Sequence, residues 1–259
     1  MSTGLLTDRL GPSGNAVLGI DIGGSGIKGA VVDPTTGEKI SKRHRVPTPQ
    51  PAVPEAIEGA LVELTRYFSW RGPIGCTFPG VVQGGIIRTA ANLHPDLVGL
   101  SAVDRFTAAT DCPTVVLNDA DAAGVAEMRF GAGKDVGGVV VMATFGTGIG
   151  TAVFVDGVLV PNTELGHLEI DGFDAETRAA ARIKDDEDLS WQQWAERVDH
   201  YLRTVENLLW PDLFIIGGGV SKRFDNYAEW VNPRTPCVPA KLRNEAGIIG
   251  AALLSQAAR

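Results

Sequence analysis

Residues 17–40 read VLGIDIGGSGIKGAVVDPTTGEKI, and this stretch decides the fold. Its first apolar run ends at Ile22, a glycine-rich turn follows, and a second apolar run leads into the turn Asp33-Pro34-Thr35-Thr36-Gly37. Apolar runs separated by such turns are typical of strands joined as hairpins. The stretch therefore predicts a strand, a tight turn, a second strand, and a further turn into a third strand.

The pattern returns in residues 139–160, VVVMATFGTGIGTAVFVDGVLV, where Asp156-Gly157 is the hairpin signal. Gly24-Ser25-Gly26-Ile27 aligns with Gly146-Thr147-Gly148-Ile149, which begins 122 residues later. This offset is far longer than the roughly 20–50 residues of a solenoid repeat. It favours a duplicated domain, and the alternative is a pair of unrelated glycine hairpins.

Length and composition limit the protein class. The chain has 259 residues, enough for one large domain or two compact halves, and its 44% hydrophobic and 21% charged residues are ordinary for a globular protein. A net charge of −8 argues against a dedicated nucleic-acid binder. Three cysteines without CxxC spacing predict neither a disulfide framework nor a cysteine zinc site. With no long apolar run and no signal sequence, we expect a cytoplasmic protein.

Glycine departs from the average composition. The chain has 32 glycines, where the usual share of about 7% predicts roughly 18. Glycine is required where the backbone turns with positive φ or approaches another group closely. We expect the surplus to lie mainly in turns that bind ligands.

Helical and strand patterns alternate through the rest of the chain. EAIEGALVELTRYF, residues 55–68, has an apolar stripe, and Ser190 can cap a helix with Trp194 on its apolar face that ends before Pro211. Buried strands are predicted before Pro79-Gly80 and before Asn118, and a final helix is predicted over 245–258. Strands alternating with helices indicate a mixed α/β architecture, with the site between the two halves.

The two Gly-hydroxyl-Gly turns are candidate phosphate sites. Turns of this kind present backbone N–H groups and hydroxyls in a concave nest, and two facing turns can clamp a phosphoryl group. Lys28 can neutralise phosphate charge, and Asp21 can hold Mg²⁺ directly or through water. Neither turn matches a P-loop or a GxGxxG dinucleotide fingerprint.

Three further groups of residues allow two interpretations each. Asn118-Asp119 either caps a helix or supplies a general base, Asp119, beside a hydroxyl-binding amide. Glu164 and His167 either bind sugar hydroxyls or form a surface pair. Residues 217–219, three glycines after a buried strand, allow close approach either of a ligand or of the chain itself.

Several motifs together resemble those of the ROK family of sugar kinases. They are DIGGSGIKG at 21–29, TFPG at 77–80, LND at 117–119, TFGTGIG at 144–150, ELGH at 164–167 and LFIIGGGVS at 213–221. They follow the family's order over nearly the whole chain. The resemblance implies an α/β fold of the actin-like, ribonuclease H-like kind, with two lobes, mixed sheets and a central cleft. The implied lobes are 1–117 with 245–259, which carries the first phosphate motif, and 118–244, which carries the second.

The resemblance also implies an activity, the phosphorylation of glucose at its 6-hydroxyl with Mg²⁺. Within the family, residues 48–57, 144–150 and 164–172 are similar to those of polyphosphate glucokinases, which implies inorganic polyphosphate, and ATP in addition, as donors, and a homodimer. The alternatives are an ATP-only glucokinase or mannokinase, with mannose as acceptor, and a sugar-responsive regulator. Only 16 residues precede the first strand, too few for a helix-turn-helix, which disfavours the regulator.

Site residues follow from the resemblance position by position. Asp119 matches the catalytic base, which also contacts the sugar. The other sugar-contacting positions are Gly80, Asn92, Asn118, Glu164 and His167. The first phosphate motif is matched by Asp21, Gly23, Gly24, Ser25 and Lys28, the second by Thr144, Gly146, Thr147 and Gly148, and the nucleotide-side turn by Gly217, Gly218 and Gly219.

One segment departs from the family pattern. Many members carry a zinc-binding cysteine cluster and a further sugar-binding Glu after the GH pair, but residues 168–182 read LEIDGFDAETRAAAR. We therefore expect no zinc site. Glu169, Asp171 and Glu176 are the candidates for the missing sugar contact, and the sequence does not choose among them.

A basic run is the candidate track for a polyphosphate donor. Lys39, Lys42, Arg43 and Arg45, with His44, lie on an expected exposed hairpin strand, and the alternative is a strand edge protected by charge. The net charge permits such a track, because residues 169–188 alone contribute −5 of the −8.

Overall fold

The structure is a computed structural model that describes residues 14–90 and 93–257. The chain divides into two compact units, the first running up to Ala126 and resuming at Glu245, the second spanning Glu127–Asn244. The predicted lobe boundary, between residues 117 and 118, lies a few residues earlier, and the assignment of a role to each lobe stays a prediction.

The first unit contains a six-stranded sheet and a small separate hairpin. The sheet strands are β1 (Val17–Ile22), β2 (Gly26–Asp33), β3 (Glu38–Lys39), β4 (His44–Pro47), β5 (Ile74–Phe78) and β8 (Thr114–Asn118), and the hairpin is β6 (Val82–Gln83) with β7 (Ile86–Ile87). The sheet order is β3-β2-β1-β5-β8, and β4 also pairs with β2. β1 is antiparallel to β2 and parallel to β5, and β5 is parallel to β8. The predicted hairpin over residues 17–40 is confirmed.

Four helices accompany this sheet. They are α1 (Pro54–Tyr67), α2 (Ala102–Thr110), α3 (Asp119–Phe130), which continues into the second unit, and the final helix α7 (Ala246–Ala257). The apolar stripe predicted for α1 is buried at Ile57, Leu61 and Leu64. These side chains pack in one hydrophobic cluster with the buried residues of β1 and β5.

The second unit repeats the pairing scheme of the first. Its sheet strands are β9 (Val139–Phe145), β10 (Ile149–Val155), β11 (Val158–Val160), β14 (Leu213–Gly218) and β15 (Cys237–Pro239), in the order β11-β10-β9-β14-β15. The first pair, β9–β10, is antiparallel, and β9–β14 and β14–β15 are parallel. Both sheets share the order of a hairpin followed by two parallel strands, which agrees with the duplicated domain that the repeated Gly-hydroxyl-Gly motif favours.

In the part of the chain that the structure describes, 3-10 turns follow β14 at Gly219–Asn226 and Ala228–Trp230, and the other strands and α-helices of the second unit lie between β11 and β14. They are the two-residue strands β12 (Glu169–Ile170) and β13 (Phe173–Asp174), and the helices α4 (Glu176–Ala179), α5 (Ala181–Asp186) and α6 (Trp191–Leu209). Ser190 caps α6 through a capping box with Gln193, and Trp194 is fully buried, both as expected from the sequence. Among the described residues no helix has the length and apolarity needed to cross a bilayer.

Helix α7 packs directly on the backbone of two strands. Gly19 of β1 and Gly75 of β5 are register partners. A Cβ added to Gly19 would lie 2.2 Å from the Ile248 carbonyl oxygen, and one added to Gly75 would lie 1.9 Å from that of Ala251. Any side chain here would push the helix away, so these two glycines set the spacing between helix and sheet.

We expect Gly75→Ala to destabilise the protein by at least about 1–3 kcal/mol, because the added methyl group meets backbone that has no rotamer through which to yield. Gly59→Ala is the matched control, since Gly59 lies inside α1 with open space around its missing Cβ. That change should be neutral or stabilise by up to about 1 kcal/mol. Urea unfolding of both variants measures the difference, and equal stabilities would contradict this account of α7.

Candidate functional site

The carboxylate of Asp21 is held by residues from two neighbouring strands. Lys28 of β2 and Thr77 of β5 are its register partners on either side. The Thr77 hydroxyl donates to Asp21 Oδ1 at 2.8 Å and accepts the Ile22 N–H at 3.1 Å, while Lys28 Nζ lies 3.3 Å from Asp21 Oδ2. The three side chains form a row across the sheet that presents one carboxylate and one ammonium group.

The first Gly-hydroxyl-Gly turn adjoins this row. Its backbone is closed by a hydrogen bond from Gly23 N to Gly26 O, 3.2 Å long, and Gly24 and Ser25 are exposed. The guanidinium of Arg45 lies on the turn, donating from Nη2 to the Ser25 carbonyl at 2.6 Å. Arg45 of β4 is the register partner of Lys28, so the two cations are neighbours across β2 and β4.

Asn118 and Asp119 stand where β8 passes into α3. Asn118 Oδ1 accepts the Asp121 N–H at 3.0 Å, and its Nδ2 donates to the Gly80 carbonyl at 3.2 Å. Asp119 Oδ1 accepts the N–H of Ala120 at 2.8 Å. Asn118 therefore does bond the first turn of the helix, as the capping interpretation expects, and it also ties Gly80 to the start of α3.

Gly80 has a conformation that favours glycine. Its φ is +152°, and an added Cβ would lie 2.3 Å from the Thr89 carbonyl oxygen. Because Gly80 and Asn118 are hydrogen-bonded, the structure brings two of the predicted sugar-contacting residues together with the predicted base. Asn92, a further predicted sugar contact, lies outside the described residues.

The second Gly-hydroxyl-Gly turn joins β9 and β10. Gly146 N donates to Gly148 O at 2.9 Å, and Gly146 and Thr147 are exposed. Thr144 points its hydroxyl to the Gly150 carbonyl at 3.2 Å. The turn is supported from outside by Glu176, whose Oε2 accepts the Ile149 N–H at 3.1 Å.

Gly217 and Gly218 end β14 and Gly219 follows it, and their surroundings divide between the two interpretations. Gly217 and Gly218 pair with β9 at Thr144 and Phe145, next to the second turn. A Cβ on Gly218, whose φ is +80°, would lie 2.1 Å from the Phe145 carbonyl oxygen, so this glycine serves chain packing. Gly219 has open space around its missing Cβ and can admit a ligand.

Glu164 directly precedes a single helical turn, Leu165–His167, which follows β11 and ends at His167. His167 Nε2 lies 3.9 Å from Glu164 Oε2, and His167 Nδ1 lies 2.8 Å from Asp174 Oδ2. Burial raises the pKa of Glu164, an effect that His167 opposes and Glu176 reinforces. The hydrogen bond to Asp174 raises the pKa of His167 in turn.

Asp174 was not among the residues predicted from the sequence. Asp171 and Gly172 have φ of +53° and +79°, which makes them a tight two-residue hairpin turn between β12 and β13. This hairpin returns the chain to His167. The Asp171-Gly172 pair is a hairpin signal in the sequence, and it could have predicted that Asp174 lies near His167.

The candidates for the missing sugar contact have other partners in the structure. Asp171 pairs with His200 at 2.8 Å, Glu176 supports the second turn, and Glu169 is exposed on β12. None of the three contacts His167 through a hydrogen bond among the described residues.

His167, Asp174 and Glu176 are close enough to raise the question of a metal ion. Their ligand atoms lie within 4.8 Å of one another. Two atoms that share a tetrahedral zinc at about 2.0–2.1 Å each are separated by about 3.3 Å. The 2.8 Å between His167 Nδ1 and Asp174 Oδ2 is shorter than this and is a hydrogen-bond distance, so the two residues are hydrogen-bonded to each other. The expectation that zinc is absent stays a prediction.

The chain matches the model of the ROK family over residues 17–181. It is 52% identical over 240 residues to the polyphosphate glucokinase of Mycobacterium tuberculosis (strain CDC 1551 / Oshkosh), covering 92% of this chain and 91% of the relative. The glucokinase of Streptomyces coelicolor is 28% identical, with coverage of 92% and 97%.

Among solved structures, the inorganic polyphosphate/ATP-glucomannokinase from Arthrobacter sp. strain KM has a TM-score of 0.90 and is 48% identical, covering 94% of this chain and 99% of that one. A ROK family glucokinase from Streptomyces griseus, in complex with glucose and AMPPNP, has a TM-score of 0.79 at 24% identity, with coverage of 93% and 99%, and supports the fold alone. The chain belongs to the ROK family. Its predicted actin-like α/β kinase fold is confirmed.

Proposed function

We propose that the protein transfers a phosphoryl group from inorganic polyphosphate to the 6-hydroxyl of glucose. The observation that carries this proposal is 52% identity, over nearly the full length of both chains, to a polyphosphate glucokinase. The exposure of the two glycine turns and the closeness of Glu164 to His167 support the proposal.

In this proposal Asp119 accepts the proton of the sugar hydroxyl as the phosphoryl group transfers. Phosphoryl transfer depends chiefly on positioning and charge neutralisation. Asn118, fixed by its bonds to Gly80 and Asp121, holds the sugar beside the base. Glu164 and His167 bind further sugar hydroxyls. Backbone N–H groups of the two glycine turns bind the phosphate oxygens.

The residues around Asp21 fit a bound Mg²⁺. The carboxylate is half-buried, its two oxygens are hard donors of the kind that Mg²⁺ prefers, and Thr77 fixes its orientation. Asp21 would hold the ion directly or through water. When bound, the ion supplies positive charge to the phosphate oxygens, and Lys28 adds its own.

We propose that the polyphosphate chain leaves the first glycine turn along β4. Lys28 and Arg45 are register partners next to the turn, and Arg43 is exposed directly before β4, outside the strand in which the sequence placed it. Lys42 is exposed beside them, whereas Lys39 is paired with Glu245. Arg45 is therefore a better candidate than Lys39 for contacting the polyphosphate chain.

The deciding experiment measures glucose 6-phosphate formed by the purified protein with long-chain polyphosphate, with ATP, and with no donor. We expect activity with polyphosphate, and with ATP as a second donor. Mannose is a second acceptor in this proposal because the Arthrobacter structure is named as a glucomannokinase. Activity with ATP alone would contradict the polyphosphate assignment. The homodimer and the cytoplasmic location stay predictions.

Asp119→Asn should lower kcat by about 10²–10⁴, the contribution typical of a general base, because the amide accepts no proton. Asp104→Asn is the matched control, an Asp in the first turn of α2 in the same unit. It should leave kcat unchanged. Initial rates at saturating glucose and polyphosphate measure both, and retention of activity within about tenfold in Asp119→Asn would place the base elsewhere.

Arg45→Ala should raise the KM for polyphosphate, because it removes a cation seated on the turn that binds the donor. The double change Lys42→Ala with Arg43→Ala should raise it too, and both effects should shrink as salt screens the charges. Lys134→Ala is the control, since Lys134 is an exposed lysine of the second unit. If the polyphosphate KM at low salt is the same in all variants, the donor does not follow β4.

A further inference from the structure

Each oxygen of the Asp174 carboxylate has a hydrogen-bond partner. Oδ2 lies 2.8 Å from His167 Nδ1, and Oδ1 accepts the Glu176 N–H at 3.1 Å. Its main-chain carbonyl accepts the Thr177 hydroxyl at 2.6 Å. The short β12–β13 hairpin holds the residue from the other side. Both carboxylate oxygens are thus in use, and the group cannot rotate without breaking a hydrogen bond.

This arrangement determines which nitrogen of His167 is available to a ligand. A carboxylate accepts only, so Nδ1 must carry a proton and donate to Asp174. Nε2 is then the free nitrogen, on the side of Glu164, whose Oε2 is 3.9 Å away. The His167 side chain is 55% exposed and that of Glu164 35%, so a hydroxyl-bearing ligand can reach both.

The same short segment reaches the second glycine turn. Glu176, two residues after Asp174, accepts the Ile149 N–H, and a Cβ added to Gly148 would lie 2.2 Å from that carboxylate oxygen. Residues 174–176 thus contact both the His167 imidazole and the turn of β9–β10. Their position at the base of the hairpin makes them a structural link between two predicted binding elements of the second unit.

We propose that Asp174 is a positioning residue for glucose, which sets the tautomer and the orientation of His167 so that Nε2 meets a sugar hydroxyl. The proposal rests on the proposed function and adds to it a residue that contacts no substrate. Removing the carboxylate frees the ring to rotate and to change tautomer. Glucose binding then weakens, while donor binding through the glycine turns is preserved.

Asp174→Asn tests the proposal, and the same acidic segment, residues 169–188, provides a matched control. Glu187 Oε2 accepts from Arg197 Nη2 at 2.7 Å and its side chain is about as exposed as that of Asp174, so Glu187→Gln removes a hydrogen-bonded carboxylate that has no assigned role in the site. We expect Asp174→Asn to raise the KM for glucose at least about tenfold, the scale of one charge-assisted hydrogen bond. Its KM for polyphosphate should stay within about twofold, and Glu187→Gln should leave both constants within about twofold. Asp174→Glu, which keeps the carboxylate, should recover part of the loss.

Histidine titration by NMR gives a readout independent of activity. The titratable groups facing His167 are Asp174, Glu164 and Glu176, and all three are acidic. Asp174→Asn should therefore lower the pKa of His167, and Glu187→Gln should not. His167→Asn identifies the resonance.

Three results would overturn the proposal. They are an unchanged glucose KM in Asp174→Asn, an equal rise in Glu187→Gln, and stoichiometric zinc bound by the purified wild-type protein at His167. If the wild-type protein forms glucose 6-phosphate normally, these results reject the role of Asp174 alone. A wild-type protein without that activity would reject the proposed function as well.

Discussion

The contact between helix α7 and the backbone of β1 and β5 is the constraint on which the first unit depends. In a strand, residues two apart point to the same face. Asp21 follows Gly19 by two residues and Thr77 follows Gly75 by two, so the face that α7 covers at the glycines continues into the carboxylate and hydroxyl of the candidate site. A Cβ added to Gly247, at the start of α7, would lie 3.1 Å from Asp21 Oδ1. The packing that closes the core therefore also sets the position of Asp21.

Each unit supports its glycine turn by hydrogen bonds from side chains outside the turn. In the first unit Thr77 bonds both Asp21 and the backbone N–H of Ile22, directly before the turn. In the second unit Glu176 bonds the N–H of Ile149, directly after the turn. Exposed glycines alone would be flexible, because glycine has the most backbone freedom to lose. In the proposed function, these supports would help to hold the N–H groups of both turns in place for phosphate oxygens.

The elements that depend on residues close together in the sequence were predicted correctly. The hairpins at residues 17–40 and 139–160, the capped helix after Ser190 and the final helix follow from local periodicity and turn residues, and all were found. The surplus glycines were expected in ligand-binding turns, but some of them are needed for packing between helix and strand. Gly19 and Gly75 lie in strands, and the residues that require them, in α7, are more than 170 positions away. No local pattern shows such a contact. The same reason explains why the role of Arg45 at the first turn needed the β2–β4 register.

The distribution of charge reconciles an acidic protein with a polyanionic donor. Several acids of residues 169–188 are engaged locally, Asp171 and Asp174 with histidines and Glu187 with Arg197. In the β3–β4 region, Lys39 forms an ion pair with Glu245, whereas Arg45 forms none among the described residues. Charges separated by more than about 10 Å are largely screened at 0.1 M salt, so a bound phosphate responds to nearby groups rather than to the net charge. At the first turn the nearby groups are Lys28, Arg45 and one carboxylate. Because that carboxylate is the candidate Mg²⁺ ligand, its negative charge would be offset whenever the ion is bound, and the local balance at the first turn becomes positive.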